Sequence, residues 1–231
     1  MIPNKSLDMI KVVADGMGAL RDKMVFIGGA STCLLIDDPA AERIRPTDDV
    51  DCIVEVASRA DYSRIEDELR NLGFSHVMEP DVPICRWQYK GIFVDVMPDE
   101  QKILGFANTW YKEGIANAQR IEIPGGLHIK CFTLPYFIAS KIEAFNSRGT
   151  DFRTSHDIED IIVVLDGRLN IADIEQASQS VTVYLRNKFT SFLANQQFEE
   201  AVYGHLSPDY SARERADRIL EFLKVFAQSG P

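Results

Sequence analysis

An apolar run, Met24-Val25-Phe26-Ile27, leads straight into Gly28-Gly29-Ala30-Ser31, and a helical start follows at Thr32-Cys33-Leu34-Leu35-Ile36. This order reads as a strand, a tight turn and a helix, and it constrains the fold more than any other stretch. Glycine has no Cβ to hold a ligand off, and the first N–H groups of a helix lack intrahelical partners, so such a turn lets a phosphate approach the backbone closely. Downstream, Arg45-Pro46-Thr47-Asp48-Asp49-Val50-Asp51-Cys52-Ile53-Val54-Glu55-Val56 alternates after Asp49 with the period of a strand, which puts Asp49 and Asp51 on one face. Two neighbouring carboxylates repel unless a cation sits between them. A divalent metal is the usual remedy, and oxygen-only ligation favours Mg²⁺ or Mn²⁺. A phosphate cradle followed by a carboxylate pair is the minimum equipment for moving a phosphoryl or nucleotidyl group.

The rest of the chain is compatible with that chemistry. Its 231 residues, 45% of them hydrophobic, suffice for one compact domain or two small ones. No apolar stretch approaches bilayer length, and Met1-Ile2-Pro3-Asn4-Lys5 lacks the apolar block of a signal peptide, so a cytoplasmic location without membrane contact is expected. Cys33, Cys52, Cys85 and Cys131 lie scattered in apolar surroundings without ligand spacing, which fits buried thiols better than a zinc site or a disulfide framework. The formal net charge of −10 argues against a generally basic nucleic-acid surface. A local positive cleft formed by Arg43, Arg45, Lys141, Arg148 and Arg153 is compatible with it, as are solvated surface charges at the same positions.

Taken in order, Ser6 to Leu20 has helical spacing, with Met9, Val12, Val13, Met17 and Leu20 on one side. Asp37 to Pro46 reads as a polar loop, and Tyr62, Ile65, Leu69 and Leu72 form a helical stripe from Arg59 to Leu72, stopped by Gly73. Ile84–Tyr89 and Ile92–Met97 flank Lys90-Gly91 as a β-hairpin. Asp95 sits in the middle of that apolar second strand, so it must be paired with a cation, hydrogen-bonded or protonated; an arginine partner and a metal both satisfy it. A second hairpin is expected over Ile121–Cys131. The spacing thus predicts an α/β core over 1–131 and a helical region over 132–231 that completes a cleft. In the latter, Thr133 is a candidate cap, and Leu134, Phe137, Ile138, Lys141, Ile142, Phe145 and Arg148 share a broad face. Lys141 on that face either snorkels, pairs with a carboxylate such as Asp157, or reaches a triphosphate. A helix over Ser155–Leu165 carries Asp157 and Asp160 on one flank, Asp157 serving the helix start or positioning an acceptor. Further helices are expected near Ile171–Ser178, Val181–Ala194 and Pro208–Phe226.

The motifs Gly28-Gly29-x-Ser31, Arg45-x-Thr47-x-Asp49-x-Asp51 and the later Asp95 resemble those of the nucleotidyltransferase superfamily with a polymerase-β-like fold. Lys141 with Arg148, followed by Asp157-x-x-Asp160, is similar to the AbiEii-type toxin branch. The resemblance covers residues 24 to 165 and implies a mixed α/β (α+β) sheet with flanking helices, followed by a helical part. It implies that Gly28, Gly29, Ser31, Thr47 and Lys141 bind an NTP, that Asp49, Asp51 and Asp95 bind Mg²⁺ or Mn²⁺, and that Lys141 and Asp157 join these three in catalysis near the acceptor. The acceptor hydroxyl would belong to tRNA, as in toxin-like members of toxin–antitoxin pairs, with a cognate antitoxin protein as partner. Two alternatives stand beside it: an adenylyltransferase acting on a cationic small molecule of aminoglycoside type, and a non-catalytic module of the same fold that binds nucleotide or protein.

Overall fold

The computed structural model describes residues 4–38, 44–149, 151–206 and 210–229. The chain divides into two compact units, one of residues 1–34 and 46–133, the other of residues 35–45 and 134–231. Residues 35–38, 44 and 45 thus fall in the unit that resumes at Leu134.

The first unit is built on a seven-stranded mixed sheet. Its strands are β1 (Met24–Ile27), β2 (Asp49–Val54), β3 (Ser75–His76), β4 (Arg86–Tyr89), β5 (Ile92–Pro98), β6 (Gln119–Ile123) and β7 (Leu127–Cys131), in the order β3-β4-β5-β2-β1-β7-β6. β1 lies antiparallel to β2 and parallel to β7, and β2 lies parallel to β5. Being central, β1 is buried along its whole length, and β2 is buried from Cys52 to Val54, which is why both end as continuous apolar runs. Lys90 and Gly91 both take positive φ in the turn that joins β4 to β5. Helix α1 (Lys5–Met17) is capped by Asn4, whose side chain accepts from Leu7 N–H, and buries Ile10, Val13 and Met17 against the sheet. Helix α3 (Arg59–Asn71) starts at Ser58, whose hydroxyl accepts from Asp61 N–H; its Tyr62 donates to the Val96 carbonyl at 2.6 Å.

Between β1 and β2 the expected helix is short. A 3₁₀ turn over Gly29–Ser31 passes into α2 (Thr32–Leu35), a single turn too short to present a sizeable dipole to a ligand. Arg43 and residues 39–42 of the polar loop lie outside the described residues. Two further short helices, α4 (Gln101–Leu104) and α5 (Tyr111–Ala116), follow β5.

In the second unit the helices α6 (Leu134–Arg148), α7 (His156–Asp166), α8 (Gln179–Leu193), α9 (Gln196–His205) and α10 (Ala212–Gln228) enclose an aromatic cluster. Phe152 stacks edge-on to Phe192 and Phe198 at 4.9 and 5.5 Å, and Phe189 meets Phe226 at 6.2 Å. The helix expected near Ile171–Ser178 is reduced to a 3₁₀ turn over Ala172–Ile174. The Asn170 side chain accepts from Ala172 N–H at 2.9 Å and so begins this turn. The proposed start of the last helix, Pro208, lies outside the described residues; its stripe of Ala216, Ile219, Leu220, Leu223 and Phe226 is buried in α10.

All four cysteines are free thiols, with Cys52, Cys85 and Cys131 buried and Cys33 half-buried. Burial pushes Cys33 and Cys85 up to about 12 and Cys131 to about 11, and burial with the charges of Asp51 and Asp95 raises Cys52 as well. Because the thiolate is the reactive form, native protein at pH 8 should react with a disulfide reagent far more slowly than free cysteine does, and all four thiols should react at once in denaturant. A rapid native thiol would contradict this burial.

Candidate active site

The first unit gathers its chemistry at the C-terminal end of β1. Gly28, the first residue beyond the strand, has φ 71° and ψ −165°, a conformation essentially restricted to glycine. A Cβ built on it would lie 1.9 Å from Asp51 Oδ2, so the carboxylate of Asp51 rests directly on the glycine turn. The reason is register: Ile27 pairs with Asp51 across the β1–β2 ladder, which brings the strand end and the carboxylate together. Ser31, buried in the same turn, donates its hydroxyl to the Gly28 carbonyl at 2.8 Å, while its N–H donates to that carbonyl at 3.2 Å. The serine thus shapes the turn that the sequence singled out as a phosphate cradle.

The other ladder brings in the third carboxylate. β2 and β5 are parallel, with Asp51 directly opposite Asp95. Asp49 lies two residues before Asp51 and is held by Thr47, whose Oγ1 donates to Asp49 Oδ1 at 3.0 Å. Asp49, Asp51 and Asp95, far apart in sequence, therefore share one patch of adjacent strands.

The cation in that patch is Arg86, which sequence reasoning missed. From β4, directly opposite Asp95, its Nε donates to Asp95 Oδ1 at 2.8 Å and its Nη2 to Asp95 Oδ2 at 2.7 Å and Asp49 Oδ2 at 2.9 Å. Its guanidinium carbon also lies 5.3 Å from the centroid of the Phe93 ring. The Asp95 hydrogen bonds, opposed by partial burial and reinforced by the charges of all three aspartates, hold the guanidinium protonated well beyond its ordinary range. A bidentate arginine pairing of this kind satisfies a buried carboxylate well. Arg86 accordingly meets the electrostatic need for which the sequence suggested a metal. The signal for it was present: counting outward from the two-residue turn Lys90-Gly91 puts Arg86 opposite Asp95.

Among the described residues no group of three or more His, Cys, Asp or Glu side chains is closed around a metal position. The donor set nevertheless fits Mg²⁺ or Mn²⁺ in kind, since it offers only carboxylate oxygens and two of the three carboxylates face each other across one ladder.

In the second unit, Lys141 of α6 is buried and donates to Asp157 Oδ1 at 3.1 Å and Asp160 Oδ2 at 2.6 Å, both on α7. Arg148 Nη1 reaches Asp157 Oδ2 at 3.3 Å, and Arg45 lies 3.6 Å from Asp160 Oδ1 and 3.2 Å from Glu159 Oε2. Asp157 also falls in the first turn of α7, whose cap is Ser155. Of the residues named for a positive cleft, Arg45, Lys141, Arg148 and Arg153 all have carboxylate partners within this unit, Arg153 pairing with Asp151 and Glu200. A positive cleft built on these four is corrected by that pairing, because each charge is already met by an acid from a neighbouring turn or helix.

No family model matches the chain, and no curated sequence matches it. Among solved structures, an antigenic nucleotidyltransferase-like protein from Paracoccidioides brasiliensis is similar, with a TM-score of 0.55, 87% of this chain and 93% of that chain covered, and 19% identity. The chain has a nucleotidyltransferase-like fold. In this nucleotidyltransferase-like sheet, the three aspartates stand on the central strands β2 and β5, where sheet pairing fixes their spacing, and the glycine turn follows directly on β1 beside them. No helix among the described residues is long and apolar enough to cross a membrane.

Proposed function

We propose that the chain is a nucleotidyltransferase that moves NMP from an NTP to a hydroxyl acceptor. The observation that carries this reading is the seating of Asp51 on the Gly28 turn, directly opposite Asp95. A phosphate drawn to the backbone of Gly28 and Gly29 would lie beside an acid, an unfavourable contact unless a divalent cation joins them. Asp49, Asp51 and Asp95 would hold Mg²⁺ or Mn²⁺, which when bound supplies charge neutralisation for the phosphates. Thr47 orients Asp49, Ser31 fixes the turn, and the missing side chain of Gly28 lets the Asp51 carboxylate seat against that turn. Lys141 and Asp157 enter this proposal as elements of the second unit that the toxin-branch resemblance assigns to phosphate and acceptor.

Two observations favour different acceptors. A groove of about 270 Å³ at the end of β1 away from Asp51, lined by Arg21, Arg120, Lys130 and His128 with one acid, Asp22, beside Ile129, carries an excess of cations that suits an RNA phosphate. The net charge of −10 favours a cationic small molecule. A tRNA target and an antitoxin partner rest on the toxin-branch resemblance alone. A non-catalytic module is favoured by Arg86, which lets the three carboxylates coexist without metal.

Transfer of label from each α-labelled NTP, with Mg²⁺ or Mn²⁺, to total RNA, to the protein itself and to an aminoglycoside panel tests these readings. Label on one acceptor that falls to background in Asp49→Ala supports the enzyme and names its class. NTP binding with no label on any acceptor would favour the module.

A further inference from the structure

We propose that Arg86 is the resident counter-cation of the carboxylate centre and competes with the divalent cation for Asp49 and Asp95, so that it sets the metal affinity of the site. This inference rests on the metal-dependent reading given above and concerns a residue to which that reading assigns no role.

Asp95 directs both carboxylate oxygens at Arg86, one to Nε and one to Nη2, and that same Nη2 also takes Asp49 Oδ2. Three charge-assisted bonds therefore consume oxygens that a metal would need. Asp95 has a side chain only 10% exposed and Arg86 one 22% exposed, so water cannot readily replace a lost partner. A cation entering here must take oxygens from the guanidinium, and the energy of breaking those bonds is subtracted from its binding. Conversely, Asp49 and Asp95 keep a counter-charge when metal is scarce. Arg86 is well placed for such an exchange: it is anchored on β4 beside the centre and stays charged throughout the accessible pH range.

The exchange is measurable without turnover. Mn²⁺ binding followed by the electron paramagnetic resonance of free Mn²⁺ should show Arg86→Met binding at least about tenfold more tightly than the wild type, since a competitor is gone and Asp49 and Asp95 have lost their cation. In EDTA the same variant should melt about 10 °C or more below the wild type and recover most of that loss in Mg²⁺, whereas the wild type should lose little on chelation. Should Arg86→Met not fold in EDTA, the folded wild type provides the second test. Its Arg86 Nε–Hε NMR signal, identified by its absence from Arg86→Lys, should leave the hydrogen-bonded position on titration with Mg²⁺. Wild-type binding of Mn²⁺ with no gain in Arg86→Met, or an Arg86 signal unmoved at saturating Mg²⁺, would overturn the competition and leave metal-dependent transfer standing. Absence of Mn²⁺ binding at millimolar concentration in both folded proteins would overturn the metal-dependent reading and this inference with it.

Discussion

Lys141→Met should destabilise the protein by about 3–5 kcal/mol, because it removes a buried cation and leaves two buried carboxylates facing its place. The ammonium lies 3.1 Å from Asp157 and 2.6 Å from Asp160, both side chains less than one-tenth exposed. Arg148 and Arg45 remain near one acid each, but the Arg148 side chain is 74% exposed and Arg45 stands 3.6 Å away, so neither replaces a centred ammonium. The loss should appear as a fall of about 10 °C or more in melting temperature. The partners can be tested in pairs: Asp160→Asn should lower the cost of Lys141→Met, giving a coupling of about 1–3 kcal/mol in a double-mutant cycle. The outcome also separates two roles for the lysine. An ion-pair role predicts lost stability in the absence of any nucleotide. A triphosphate-binding role predicts an unchanged melting temperature and a raised KM for the NTP. A melting temperature within 2–3 °C of wild type, about 1 kcal/mol or less, would set aside the ion-pair role.

The same lysine shows how far the sequence could be read. Its place on the apolar face of a helix marked it as needing an anion, and the residues that answer, Asp157 and Asp160, were visible as a pair on one flank of the next helix. Local periodicity likewise located β1, β2, both hairpins, α3, α6 and the buried stripe of α10, since each carries its own apolar pattern or turn residues. It failed at α9, where Gln196-Gln197 and Glu199-Glu200 hide a short helix anchored by Phe198, Ala201 and Val202, and at Ile171–Ser178, where the backbone makes only a 3₁₀ turn over Ala172–Ile174. The candidate site divides in the same way. Asp49 and Asp51 follow from strand alternation, and Arg86 could have been placed from hairpin register. The pairing of Asp51 with Asp95 could not, because parallel β2 and β5 are joined through α3 and two further strands, and nothing local fixes their register. Arg86 alters the energetic argument as well. Three neighbouring acids do not by themselves demand a metal when an arginine on the adjacent strand binds two of them.

Gly28→Ala should be the most damaging small substitution in the first unit, destabilising it by about 3 kcal/mol or more as backbone strain and overpacking add. The backbone at φ 71° and ψ −165° lies where an L-residue is strained, and the new methyl would stand 1.9 Å from Asp51 Oδ2 and 2.8 Å from Asp51 Cβ. Rotation of the Asp51 carboxylate cannot relieve the whole contact, because pairing with Ile27 on one side and Asp95 on the other fixes the Asp51 Cβ that stands 2.8 Å away. Gly18→Ala provides the control: its φ is also positive, at 53°, but nothing lies within 4 Å of the added Cβ, so it carries backbone strain of about 1–3 kcal/mol without the collision. The excess cost at Gly28 measures how tightly the carboxylate sits on the turn. Shortening Asp51 to alanine in the Gly28→Ala background should recover part of that excess, though not all, because the Asp51 Cβ is itself close. Chemical denaturation of the four proteins reads these differences directly. Equal losses for Gly28→Ala and Gly18→Ala would mean that Asp51 is free to leave the turn, and the close seating of acid on phosphate cradle, from which nucleotidyl transfer was inferred, would lose its support.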